Sequence, residues 1–201
     1  MDPKALFNIT YGLYLLTARK HGKDNGCIIN TAVQLTENPT QIAVTVIKRN
    51  MTHDMIRDTG AFNLSTLTTD ADFELFRRFG MQSGRDTDKF SGFPHVERSG
   101  NTIYRLTQST NMFLSAVVTQ EIDLGSHTMF IAEVTDAQVL SDAPACTYSY
   151  YQSHIKPAAK KAEKKQWECV VCGYIYEGEE VPDDYLCPLC HHGKEDFVLV
   201  Q

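Results

Sequence analysis

Two Cys-x-x-Cys pairs constrain this chain more than any other feature: Cys169-Val170-Val171-Cys172 and Cys187-Pro188-Leu189-Cys190. A short loop separates them, so four thiolates can close on one tetrahedral ion. Four sulfurs alone suit either zinc or a single iron, and the surroundings must decide between them. Trp167, Tyr174, Tyr176, Tyr185 and Phe197 give this segment an aromatic wall that limits water and lowers the local dielectric, two means of setting a redox potential. Gly173, directly after a ligand, leaves its amide able to approach a sulfur. His191 and His192 follow the last cysteine and read as exposed loop residues, since four ligands are already present. Cys27 and Cys146, the other two of the six cysteines, read as free thiols.

The thiolate module is set apart by its charge. From Lys156 to Gln166 the chain is Lys-rich and lacks large apolar residues, which reads as a flexible tether that lets the module swing. Beyond it, Glu168, Glu177, Glu179, Glu180, Asp183, Asp184, Glu195 and Asp196 face only Lys194. The expected organisation is a large domain over 1–155, a tether over 156–166 and a small metal module over 167–201. A formal net charge of −6 argues against nucleic acid, whose nonspecific binding draws on clustered Lys and Arg. No apolar run approaches the ~20 residues of a membrane span. No export signal follows Met1, so the cytoplasm is the expected compartment.

In the large domain, apolar and β-branched runs recur at Ile28–Leu35, Ile42–Ile47, Phe62–Leu67, Thr102–Leu106, Phe113–Leu124 and Thr128–Leu140. These read as strands. Short helices are expected over His53–Asp58, capped by Thr52, and over Phe73–Phe79, capped by Thr69 or Asp70. The fold class is therefore mainly β with a few helices. Neither G-x-G-x-x-G nor a P-loop occurs, which disfavours a nucleotide fold of alternating strands and helices.

The run Cys-Val-Val-Cys-Gly-Tyr-Ile-Tyr-Glu-Gly, followed by Val-Pro-Asp-Asp-Tyr-Leu-Cys-Pro-Leu-Cys, resembles rubredoxin almost residue for residue. That resemblance implies one iron held by Cys169, Cys172, Cys187 and Cys190; the alternative is a structural zinc ribbon. Four further segments resemble, in order, the flavin reductase family with the FMN-binding split β-barrel. They are Asn25–Thr31, Lys48–Ile56, Ser83–Phe90 and Gly125–Val134. The resemblance places Thr52, Lys89 and His127 at the flavin, and less directly Tyr150. Chemistry adds Asn30 and Thr31 beside the ring and ribityl chain, and Lys48, Lys89, Thr52 and the start of the helix after it for the phosphate; Asn50 counts among the flavin-binding residues, and Cys27 either touches the flavin or is a small buried residue. Ile47 and Met51 depart from the family, which often has Asn and an aromatic residue there.

The order of domains resembles the high-molecular-weight rubredoxins. It implies a homodimeric oxidoreductase in which NADH or NADPH reduces FMN, FMN reduces the iron, and the iron serves an acceptor protein such as the flavodiiron oxygen or nitric oxide reductases of anaerobes. Hydride transfer depends on positioning, so no general acid or base is assigned. Two alternatives stand beside this reading: a reductase that releases reduced flavin, and a non-enzymatic carrier fed by a separate reductase.

Overall fold

A computed structural model describes residues 3–157 and 165–200. The chain divides into two compact units, 1–157 and 158–201. Most of the expected tether, 158–164, lies outside the described residues.

Among the described residues the first unit has nine strands. They are β1 (Tyr14–Lys20), β2 (Lys23–Ile29), β3 (Ala32–Glu37), β4 (Thr40–Ile47), β5 (Ala61–Leu67), β6 (Val96–Arg98), β7 (Tyr104–Leu106), β8 (Thr110–Asp123) and β9 (His127–Val139). Seven form one antiparallel sheet in the order β2-β1-β5-β8-β9-β4-β3. The β1–β2 connection is His21-Gly22, both at positive φ (49° and 79°), which matches the twist of the strands it joins.

The sheet curls until β2 and β4 share a core, where Cys27 and Ile29 join Val44, Val46, Phe62 and Phe130. Each large apolar side chain buried there contributes roughly 1.5–3 kcal/mol. A second core lies on the other face of β1, where Leu13 and Leu15 meet Leu67, Phe76, Phe79 and Leu106. Because β1 is buried on both sides, its Tyr-Leu-Leu run does not alternate, and the sequence pattern misses it. The expected strand Ile28–Leu35 is two strands, broken at Asn30-Thr31, where Thr45 N donates to Thr31 O and Thr31 Oγ1 donates to Thr45 O.

Helix α1 (Met51–Thr59) starts at Asn50, not Thr52; Thr52 lies inside the first turn, fully buried, and accepts from Asn25 Nδ2 at 3.0 Å. Helix α2 (Phe73–Gly80) is capped by Asp72, whose carboxylate accepts from Leu75 N at 2.9 Å. Thr69 and Asp70 are engaged elsewhere, with Pro144 O and Thr68. Among the described residues no helix is long and apolar enough to cross a membrane.

The second unit is a sheet of β10 (Gln166–Cys169), β11 (Ile175–Glu177) and β12 (Phe197–Leu199), in the order β11-β10-β12. Its strand β10 begins one residue inside the expected tether. The small core is Cys169, Val181, Cys187 and Phe197, with Trp167, Tyr174, Tyr176 and Tyr185 packed around it.

Candidate functional site

Two loops of matching construction bring the cysteines together. Cys169 N donates to Tyr174 O and Gly173 N to Cys169 O; in the second loop Cys187 N donates to His192 O and His191 N to Cys187 O. Gly173 and His191 occupy equivalent left-handed positions, at φ 75° and 59°. The four sulfurs lie within 4.8 Å of one another, with Cys169–Cys190 at 3.6 Å and Cys172–Cys187 at 3.5 Å. A tetrahedral ion with metal–sulfur bonds of about 2.3 Å spaces its sulfurs by about 3.8 Å, so the donor set fits one; a disulfide, at about 2.05 Å, does not.

Backbone amides reach these sulfurs. Those of Tyr174 beside Cys172, of His192 beside Cys190, and of Cys190 and Leu189 beside Cys187 favour the thiolates. The amide of Gly173, expected near a sulfur, goes instead to the Cys169 carbonyl, because the turn that frees Tyr174 uses it. Burial opposes the Cys187 thiolate, yet the amides and neighbouring thiols bring its pKa down to about 7. Cys190, despite the His192 amide, is pushed up to about 12 by burial and by its three sulfur neighbours. Cys169 and Cys187 are buried, whereas Cys172 is exposed. His191 and His192 are exposed and stand outside the sulfur cluster.

The first unit carries two adjoining pockets that share Asn50. The polar one, about 280 Å³, is lined by Asn25, Cys27, Arg49, Thr52, Ser83, Gly84 and Lys89, among others. Its lining, among the described residues, holds two cations and no carboxylate. Asn50, Met51 and Thr52, the start of α1, also border it, and the Asn50 side chain makes no capping hydrogen bond. The second pocket, about 340 Å³, is lined by Ile28, Ile29, Asn30, Thr31, Ile47, Leu124 and His127 as well as Thr45. Most of the surface that lines it is apolar, and Asn30, Thr31, Thr45, Asn50 and His127 supply its polar groups.

The structure thus brings Cys27, Asn50, Thr52 and Lys89 to one pocket and Asn30, Thr31, Asn50 and His127 to its neighbour. Lys89 is only 4% exposed, and its ammonium donates to Gly26 O at 3.0 Å and Phe79 O at 3.1 Å. Burial lowers its pKa, with partial compensation from Cys27, whose own thiol burial pushes up. Lys48 lines neither pocket; its ammonium pairs with Asp123 at 2.7 Å. Tyr150 also lines neither, and stacks on His154 with centroids 4.4 Å apart. Sequence reasoning missed Asn25 and Arg49 as lining residues. Arg49 stands between two residues that were singled out, and Asn25 opens the first of the four resembling segments.

Comparison with known proteins matches residues 6–159 to the flavin reductase like domain and residues 167–198 to the rubrerythrin, rubredoxin-like domain. The high molecular weight rubredoxin of Moorella thermoacetica is 35% identical, covering 98% of this chain and 99% of that protein. The ferric-chelate reductase (NAD(P)H) of Archaeoglobus fulgidus is 40% identical over 75% of this chain and 89% of its own length. In fold, the first unit is similar to the NADH:FAD oxidoreductase of Streptomyces globisporus (TM-score 0.67, 18% identity, covering 75% of this chain and 92% of that one). The flavoredoxin of Methanosarcina acetivorans is similar at a TM-score of 0.59 and 21% identity, covering 66% and 70%.

Proposed function

This chain belongs to the flavin reductase-like domain family and, along nearly its whole length, to the high molecular weight rubredoxins; on that premise we propose that it passes electrons from NAD(P)H through FMN to a single iron and on to an acceptor protein. The observation that carries the reading is the presence on one chain of a carboxylate-free cationic pocket, an apolar pocket beside it and a four-thiolate centre. Bound FMN would accept hydride and release electrons singly, and thiolate-held iron would accept them one at a time.

The protein's part is to hold, orient and keep dry. In this reading Arg49, the start of α1 and the backbone at Ser83 and Gly84 receive the phosphate and ribityl chain, where a dianion meets cations and amides. Lys89 lines the same pocket as a buried cation that donates to two carbonyls, so an anion bound there would restore charge balance. Ile29, Ile47 and Leu124 exclude water from the ring, while Asn30, Thr31 and His127 orient it by hydrogen bonding. In the second unit Cys169, Cys172, Cys187 and Cys190 hold the iron, and the exposed Cys172 edge is where the acceptor approaches. A flavodiiron protein in a cytoplasmic, anaerobic setting is the acceptor class that the family resemblance favours.

Subunit pairing is part of the same reading. Val33 (59% exposed) on the edge strand β3, Val117 (47%) on β8 and Val139 (81%) on β9 leave apolar side chains at the surface of the sheet, which a second copy would cover.

An anaerobic visible spectrum, recorded before and after NADH and then NADPH, tests the proposal. Flavin and ferric–thiolate bands that both bleach support the relay. Flavin bands that persist with both nucleotides favour a carrier fed by another reductase. Flavin that separates from the protein on gel filtration favours the release of reduced flavin, and absent iron bands favour zinc.

A further inference from the structure

Asp54 lines neither of the two adjoining pockets, yet it ties together elements that form both. It sits in the first turn of α1. Its Oδ2 receives Arg85 Nη2 at 2.5 Å, and its Oδ1 faces His53 Nδ1 at 3.0 Å. Arg85 follows Ser83 and Gly84, which line the polar pocket. On the other side, His53 Nε2 lies 2.9 Å from Oγ1 of Thr128, the residue after His127 of the apolar pocket. The imidazole is 2% exposed and lies against the Phe130 ring, with centroids 5.6 Å apart, so it cannot swing away. Arg85, Asp54, His53 and Thr128 thus form one polar line from the loop at one pocket to the strand at the other.

We propose that Asp54 is a positioning residue for bound flavin, a clamp that holds the Ser83-Gly84 segment and the His127 end of β9 in one register. The inference rests on the flavin reading above. Gly84 and Lys89 are buried but every residue between them is exposed, and the amides of Arg85, Asp86 and Thr87 bond only back to Ser83, so the Arg85 pair is what ties this stretch to α1. The Asp54 and Arg85 side chains are 44% and 51% exposed, and such a pair adds little to global stability. Its effect therefore falls on loop placement rather than on the melting temperature.

The test uses the full chain, with Asp54→Asn, Arg85→Gln and the double variant. FMN affinity is read from quenching of flavin fluorescence at low salt and at about 0.5 M NaCl. Amide hydrogen exchange over residues 82–88 is read without flavin, and thermal melting serves as the fold control. Each single variant is expected to weaken FMN about fivefold, with the double no weaker than either single, because both break the same pair. The difference from the parent should shrink at high salt, and loop exchange should quicken with little change in melting. Parental affinity and parental loop exchange in the variants would overturn the clamp, as would losses that add in the double variant or that merely follow a lowered melting temperature. If the parent protein itself binds no FMN, the flavin reading fails, while the exchange comparison still decides whether Asp54 holds the loop.

Discussion

The side chain of Asn25 lies so close over Gly84 that a Cβ at position 84 would stand 2.2 Å from Asn25 Oδ1. Asn25 is 2% exposed and donates to Thr52, so it cannot step aside without giving up that hydrogen bond in the wall of the polar pocket. Gly84→Ala should therefore cost roughly 1–3 kcal/mol of stability. It should also weaken FMN, because Asn25, Thr52 and the loop move together. Thermal melting and flavin titration check both effects; a variant that melts and binds as the parent would show that Asn25 has room that the packing denies it.

Lys89 predicts a proton taken up on flavin binding. Burial, partly offset by Cys27, holds its folded pKa below the ordinary lysine value of about 10.4. A phosphate nearby raises that pKa again. Between the free and bound values the complex carries the extra proton, so FMN affinity falls as pH rises through the free value and levels off above the bound one. Without ligand the same depression means that unfolding takes up the proton, and this residue's contribution to stability rises with pH over that window. Calorimetry in two buffers of different ionisation enthalpy, repeated at successive alkaline pH values below the ordinary lysine value of about 10.4, should show uptake that Lys89→Met abolishes.

The thiolate centre was legible in the sequence because its geometry is local. Two residues between paired cysteines fix a turn, and the turn sets the sulfurs. The pockets are different, since their residues come from β2, α1, the loop after α2 and β9, and only pairing of the sheet brings these together. The family resemblance supplied Thr52, Lys89 and His127, but not what each side chain does. Lys48 and Tyr150 show why: an exposed Asp123 and a His154 one turn away were available as partners, and partner choice depends on distances that the sequence does not contain. Strand β1 escaped notice for a related reason, as two cores claim its opposite faces and erase the period-two signal.

Asn63 should be among the costliest polar positions to change. It is fully buried in β5; its Oδ1 accepts from Asn101 Nδ2 at 2.7 Å and Ser115 Oγ at 2.8 Å, and its Nδ2 donates to Ser99 Oγ at 2.7 Å and Ile103 O at 3.1 Å. Asn63→Leu fills the space and leaves the Asn101 Nδ2 and Ser115 Oγ donors without their acceptor, whereas Ser99 Oγ and Ile103 O still bond each other. A loss of roughly 3–5 kcal/mol is expected in denaturant unfolding. A loss under about 1 kcal/mol would mean that the neighbours find other partners.

Removing one buried ligand should separate the two redox functions. Cys187 is fully buried, so water has no ready path to take the place of its sulfur. Cys187→Ser is expected to abolish the iron bands. The first unit has cores of its own, and flavin binding and NAD(P)H oxidation with a flavin-level acceptor should persist. Loss of flavin binding in that variant would mean that the units do not fold independently.

His191 occupies the left-handed position that glycine fills in the matching loop, so one of two equivalent turns carries a Cβ where the backbone disfavours it. Outside glycine such a conformation costs on the order of 1 kcal/mol, although histidine tolerates it better than most residues. The ring is exposed, and the loop uses only its backbone, through His191 N donating to Cys187 O at 2.8 Å. His191→Gly relieves the strain in the folded state but adds freedom to the unfolded chain, and the two effects oppose each other. With φ at 59° the relief should win, giving a gain of about 0.5–1 kcal/mol in the unfolding of the metal module. The iron spectrum should be unchanged, because His191 stands outside the four-sulfur cluster; a shifted spectrum would place His191 in the coordination sphere and overturn the four-thiolate assignment.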